Sequence, residues 1–296
     1  MEQSLHIDDL PLMRDPYFVM AFTGWNDAAE SATNAARYLV DHLNGKRFAW
    51  INPDPFFQYS DYRPIVRRDT AGRRRIHWPK NEFFHCSRPD LPFDLVVGIG
   101  TEPHLNWKHF SRDILHLVRR CRATTAITMG ALLAGELHTE PIHLVGLATR
   151  PELAERLGVE ITKYEGPTGI VGVIHTLLQD EDIDAVSLWA NVPHYIASLS
   201  NPKAVLALLK CLRRFGEIPL DLEDLENSTG RFDTQVEDVL AKNPRVAGLF
   251  SQLLGRGPGA GSEEGGGELP PGSEVADEIE RLLRHRRNGG RTEEEE

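Results

Sequence analysis

Residues 94–100, DLVVGIG, form a near-continuous apolar run, a composition suited to a central strand buried on both faces. Such a strand needs a layer of structure on each side, which commits the surrounding chain to helices packed on both faces of a mainly parallel sheet. Residues 17–22 (YFVMAF) and 184–190 (DAVSLWA) have the same character. After the first of these, Ala28, Ala32, Ala35, Ala36, Leu39 and Leu43 recur at helical spacing, so a narrow alanine-rich stripe is expected to face the sheet. Asn26 or Asp27 suits its N-cap, and Gly45 suits its end. Residues 48–51 then read as a second strand that completes a right-handed βαβ unit.

Between residues 52 and 92 the pattern turns extended and proline-punctuated. Residues 64–68 and 73–78 flank an Asp-Thr-Ala-Gly turn, which predicts a β-hairpin. It gathers Arg63, Arg67, Arg68, Arg73, Arg74 and Arg75, open to three readings: a solvated face, an acidic protein partner, or nucleic acid. The net charge of -11 argues against the last, because phosphate binding is driven by clustered bases. Further along, Trp107, Phe110, Ile114 and Val118 repeat with helical period, a strand at 124–129 stops at Gly130, and another strand covers 143–149. Pro151 and Pro202 each open a helix, the second carrying Val205, Leu206, Leu209 and Leu212 and closed by Gly216.

This pattern divides the chain into an α/β core at 1–220 and a helical appendage at 221–254, with Leu222, Leu225, Val236, Val239 and Leu240 as its packing residues. A Gly/Pro/Glu-rich flexible linker follows at 255–273, and a short helix with an acidic, disordered tail at 274–296. The three cysteines, Cys86, Cys121 and Cys211, are odd in number and far apart, as buried reduced thiols would be. The first residues carry acids where a signal peptide carries bases, and no apolar run reaches the roughly 18 residues of a membrane span. A soluble, cytoplasmic protein is expected, with no nucleic-acid or membrane partner.

The usual catalytic signatures are missing: there is no GxxxxGK[ST], HExxH, CxxC or GxSxG, and the sequence implies no metal and no cofactor. What remains is a set of polar and aromatic groups placed just beyond the carboxyl ends of strands, where ligands of open α/β sheets sit. These are Trp25, Asn26 and Asp27, then Glu102, then the turn of Gly166, Pro167, Thr168 and Gly169, then Asn191, His194 and Tyr195. The glycine turn opens a helix and can present backbone N–H groups to an anion. Glu102 with His194 would serve as an acid–base pair if the fold joined them. The plainer reading makes Glu102 a turn or helix cap, His194 a partner of backbone groups, and Trp25, Trp107 and Trp189 packing aromatics.

Several stretches together resemble one family. TGWNDA, DYRP, VVGIGTEPHLNW, HTEPIHLVGLAT, YEGPTGI and SLWANVPHYIASLSNPKA are similar to the proteasome assembly chaperone family in its actinobacterial-type form, over about residues 15 to 215. The resemblance implies a three-layer α/β/α sandwich similar to the nucleoside phosphorylase and hydrolase-like fold, with the hairpin and helical appendage added. It also implies a homo-oligomer, a trimer among the sizes allowed, and protein partners that include proteasome components. Some relatives bind the proteasome through a C-terminal hydrophobic-Tyr-any tripeptide. Here the last residues are Glu293, Glu294, Glu295 and Glu296, so docking of that kind is not expected. The resemblance brings no catalytic residues. The expected function is therefore a non-enzymatic, protein-binding assembly chaperone, with Arg67, Arg68, Arg73, Arg74 and Arg75 as candidate contacts. The alternative is a hydrolase, phosphorylase or binder of a nucleoside- or phosphate-containing ligand, working through the strand-end loops.

Overall fold

The computed structural model describes residues 4–197 and 199–242. In chain order the strands are β1 (Leu5–Ile7), β2 (Tyr17–Thr23), β3 (Lys46–Ile51), β4 (Ile65–Arg68), β5 (Arg74–His77), β6 (Asn81–Cys86), β7 (Leu95–Thr101), β8 (Thr125–Ala134), β9 (Leu144–Ala148), β10 (Glu160–Ile161) and β11 (Ala185–Pro193). The helices are α1 (Ser31–His42), α2 (Trp107–Arg120), α3 (Pro151–Leu157), α4 (Ile170–Asp180), α5 (Pro202–Gly216) and α6 (Glu223–Lys242). One sheet runs in the order β1-β3-β6-β7-β2-β8-β11-β9-β10, and β4 with β5 forms the expected hairpin outside it.

The central strands β7, β2, β8 and β11 are mutually parallel. Their continuous apolar runs follow from burial on both faces: in β2, Val19 and Ala21 join one core while Phe18, Met20 and Phe22 join the other. The first core is closed by the alanine stripe of α1 and by Leu208, Leu209 and Leu212 of α5. The second is closed by Phe110 and Ile114 of α2 and by Ile170, Val171 and Ile174 of α4. The result is a three-layer α/β/α sandwich. Cys86, Cys121 and Cys211 are free and buried, and burial pushes the thiols of Cys86 and Cys121 up to about 12.

Three local expectations need correction. β3 follows α1, but it does not pair with β2. It joins β6 and β1 in antiparallel register, with β6 and β7 lying between it and β2. Second, β8 does not stop at Gly130, and third, β11 does not end at Ala190. The two strands stay paired to Ala134 and Pro193, so Asn191, Val192 and Pro193 belong to a strand rather than a loop. Gly130 is a packing requirement there and not a breaker: a Cβ on it would lie 2.5 Å from the ring of Trp189.

α6 packs along α5; Leu222, just before it, lies in the first core, and Phe232 and Val236 of α6 pack against Tyr195 and Ile196. The side chains of Val239 and Leu240, the rest of the appendage to 254, the linker at 255–273 and the segment at 274–296 lie outside the described residues.

Gly130→Val should lower stability by about 2 kcal/mol, the usual penalty of overpacking, read from the urea midpoint. Gly135→Ala, at a site with nothing within 4 Å, should stay within about 0.5 kcal/mol of the parent.

Candidate functional site

The parallel strands bring the carboxyl ends of β2, β7, β8 and β11 to one edge of the sheet, and α4 begins at the same edge. Gly24 leaves β2 with φ +126, and a Cβ there would sit 3.0 Å from Cβ of Glu102. The turn therefore lies directly against the residue that follows β7. Glu102 uses both carboxylate oxygens. Oε1 accepts from Asn26 Nδ2 at 2.6 Å and from Ile170 N at 2.8 Å, and Oε2 accepts from Trp25 N at 3.2 Å. The Ile170 amide belongs to the first turn of α4, so a carboxylate of this chain fills the anion position that the Gly166–Gly169 turn was expected to offer. Gly169 is filled in the same way, since a Cβ on it would lie 2.0 Å from Asn26 Oδ1. Thr168 packs over Gly172, and Tyr164 donates to Pro167 O at 3.1 Å. Trp25 is 68% exposed beside this cluster.

Asp27 faces the other way. Its buried carboxylate accepts from Ala32 N at 2.7 Å, from Thr33 N at 3.3 Å and from the Thr33 hydroxyl, capping α1 from four residues before the helix starts. That reach is possible because Ala29 and Glu30 both adopt the left-handed region, φ 56 and 52, and turn the chain back on itself. Burial pushes the Asp27 carboxyl up to about 6, against the opposing pull of the Thr33 hydroxyl and the two helix amides.

Asn191, His194 and Tyr195 form a different neighbourhood on the extended β8–β11 ribbon. Asn191 Nδ2 donates to Glu136 Oε1 at 2.7 Å, and His194 Nδ1 bonds with Ala134 O at 3.2 Å. Tyr195 is buried, with its hydroxyl bonded to the backbone N (2.6 Å) and Nδ1 (2.8 Å) of His138. No hydrogen bond joins Glu102 to His194 among the described residues, and the acid–base pair is not assembled. Glu136, His138 and His143 were not among the site residues expected from the sequence, although His138 and His143 lie in the HTEPIHLVGLAT stretch, because nothing local to the segment at 136–143 announces that it meets β11. Trp107 and Trp189 are partly buried packing residues, with indole N–H groups donating to Pro103 O at 2.6 Å and Ser187 Oγ at 2.9 Å.

Two other arrangements invite a chemical reading. Ser4, His109 and Asp113 meet, but the histidine and the carboxylate both bond to the serine, at 3.1 and 2.5 Å, with His109 and Asp113 3.8 Å apart. A nucleophile triad needs the histidine in the middle. A surface cleft of about 430 Å³ lies between β9, β10 and α5, lined by His143, Glu160, Lys210 and Arg214 among others, and none of the strand-end residues lines it. Among the described residues no group of three or more His, Cys, Asp or Glu is placed to hold a metal, and no helix is long and apolar enough to cross a membrane.

Two outcomes follow for the site. Glu102→Ala strips Asn26 and the α4 terminus of their acceptor and should destabilise by about 2 kcal/mol in urea unfolding, with Glu102→Gln recovering part of the loss. Asp27 has a folded pKa above its unfolded value, so its stabilising contribution is complete below about pH 4 and is lost as pH rises through about 6. Asp27→Asn should therefore gain on the parent by about 3 kcal/mol between pH 4 and pH 7, read as the difference of their two stability curves.

At this sheet edge Glu102 binds the turn after β2 and the start of α4. A PAC2 family model matches residues 21–240. A PAC2 family protein from Streptomyces avermitilis is 36% identical and superposes with a TM-score of 0.72, covering 76% of this chain and 95% of its own. A proteasome-assembly chaperone homologue from Mycobacterium tuberculosis is 32% identical with a TM-score of 0.72, covering 78% and 98%. An archaeal proteasome activator from Pyrococcus furiosus shares the fold at 19% identity, with a TM-score of 0.65 and coverage of 80% and 98%. A comparison with curated proteins gives no match. With the family model spanning strands β2 to β11 and reaching into α6, the chain belongs to the PAC2 family.

Proposed function

We propose that this protein is a proteasome-linked assembly chaperone that acts by binding other protein subunits through its surface. The observation that carries this reading is the occupied strand-end crevice. The place where an open α/β sheet holds a small ligand is filled by Glu102, Asn26 and the start of α4. A phosphate directed at the Ile170 amide would have to displace a carboxylate that accepts three hydrogen bonds. Meanwhile large apolar side chains stand in solvent at or near this edge: Trp25, Leu105, Leu132, Leu133 and Tyr164. Exposed aromatic and aliphatic groups in such number suit a protein contact better than a soluble face. The names of the relatives, a proteasome-assembly chaperone homologue and a proteasome activator, give the partner class its direction. A homo-oligomer in the cytoplasm, with residues 1–220 as the core and the segment from 221 as an appendage, completes the proposal.

Co-expression with the subunits of the host core proteasome, followed by affinity capture, is the test. Capture of the subunits should be stoichiometric, and Trp25→Asp with Leu133→Asp should weaken it by about tenfold or more while the melting temperature is unchanged. Capture of no core-particle subunit by the folded protein would overturn the proposal.

A further inference from the structure

The cleft between β9, β10 and α5 takes no part in the strand-end edge, and its two walls differ in charge. Lys210 and Arg214 stand on the α5 wall, four residues apart and so on one face of the helix. His143 and Glu160 stand on the sheet wall, with Glu160 3.4 Å from His143 Nε2 and Glu136 3.6 Å from its Nδ1. Among the described residues no ion pair crosses the gap, and Arg214 meets no acid. Lys210 turns instead to Glu226 of α6 at 2.7 Å. Arg214 Nη2 donates to the carbonyls of Leu157 and Gly158 at 2.7 and 3.3 Å, while Nε and Nη1 have no hydrogen-bond partner among the described residues. Gly158 makes room for this, since a Cβ there, at φ +62, would lie 3.1 Å from Nη2.

Between the charged groups the lining is apolar, from Ile142, Leu144, Val159 and Ala207. β10 covers β9 only at Val145 and Gly146, so the edge of β9 ahead of Val145 has no strand beside it on this side. A free sheet edge can pair with extended backbone. An anion alone would be drawn to Lys210 and Arg214 but repelled by Glu160, and a cation the reverse. A ligand that suits both walls therefore carries a negative end, a positive end and an apolar body between them. The cleft, about 430 Å³, is of the size that holds small ligands.

We propose that this cleft binds a short apolar peptide with both termini free. Its α-carboxylate lies between Lys210 and Arg214, its α-ammonium lies at Glu160, and its side chains rest on Leu144, Val159 and Ala207. The opposed charges give orientation, and the open edge of β9 favours a peptide over other dipolar molecules. This goes beyond the assembly role and does not depend on it, since the test contains no other protein.

The experiment titrates the full chain, labelled with nitrogen-15, with dileucine at low salt, and follows the backbone amides of Leu144, Val159 and Ala207. Dileucine should shift them saturably, and either N-acetylation or C-terminal amidation of the probe should weaken binding by about tenfold. Glu160→Gln should remove the penalty of acetylation, and Lys210→Gln should reduce the penalty of amidation, with the melting temperature unchanged in both. Ala207→Phe, which fills the cleft, should abolish the shifts. Absence of a saturable shift at these amides with millimolar dileucine would overturn the proposal. So would equal binding of the free, acetylated and amidated probes to the parent, or a penalty of acetylation that survives Glu160→Gln.

Discussion

One carboxylate holds the functional edge of this molecule together. Glu102 follows β7, yet it accepts from the turn after β2 and from the first turn of α4, stretches about 76 and 68 residues away in sequence. Charge-assisted bonds of this kind are stronger than neutral ones, and a negative group at a helix N-terminus gains further from the aligned peptide dipoles. The contact depends on the topology: parallel pairing brings the ends of β2 and β7 together at Glu102, and α4 starts at the same edge, where Glu102 accepts from its first amide. A site that commonly receives substrate in sheets of this type is thereby closed from within.

Much of the architecture was legible in the amino-acid sequence for a physical reason. Strands buried on both faces must be apolar along their whole length, so β2, β7 and β11 announce themselves by composition alone. The alanine stripe of α1 is legible because close packing on a sheet demands small side chains at helical spacing. The hairpin was legible from its turn chemistry, where Asp69 Oδ1 accepts from Ala71 N at 3.0 Å and Arg73 N at 2.9 Å, and Gly72 takes φ +75.

What escaped the sequence depends on contacts between distant segments. The antiparallel place of β3 beside β1 and β6 reflects competition for sheet edges that no local pattern records. Gly130, Asn191 and Pro193 are breakers by propensity, but Trp189 lying over Gly130 and nine residues of continuous register with β8 override them. Of the strand-end residues, Trp25, Asn26, Glu102, Thr168 and Gly169 gather around the start of α4, whereas Asn191, His194 and Tyr195 belong to the β8–β11 ribbon. Of the two N-cap candidates, Asn26 and Asp27, the side chain of Asp27 is the one that reaches α1; that it does so across two left-handed residues, with Glu30 at the N-cap position, was not legible. This acidic chain exposes large apolar groups both at the strand-end edge, Trp25, Leu105, Leu132, Leu133 and Tyr164, and on or beside the arginine hairpin, Ile65, Val66, Ile76 and Trp78.

Glu102 occupies the amides of Trp25 and Ile170 at the strand-end crevice. Backbone amide resonances of Trp25, Gly169 and Ile170 followed during titration with inorganic phosphate and then with nucleosides test it directly. No saturable change is expected at millimolar ligand in the native protein, because the amides of Trp25 and Ile170 already face a carboxylate. A saturable shift of the Ile170 amide that matches the binding curve of either ligand would show the crevice open, and would contradict it.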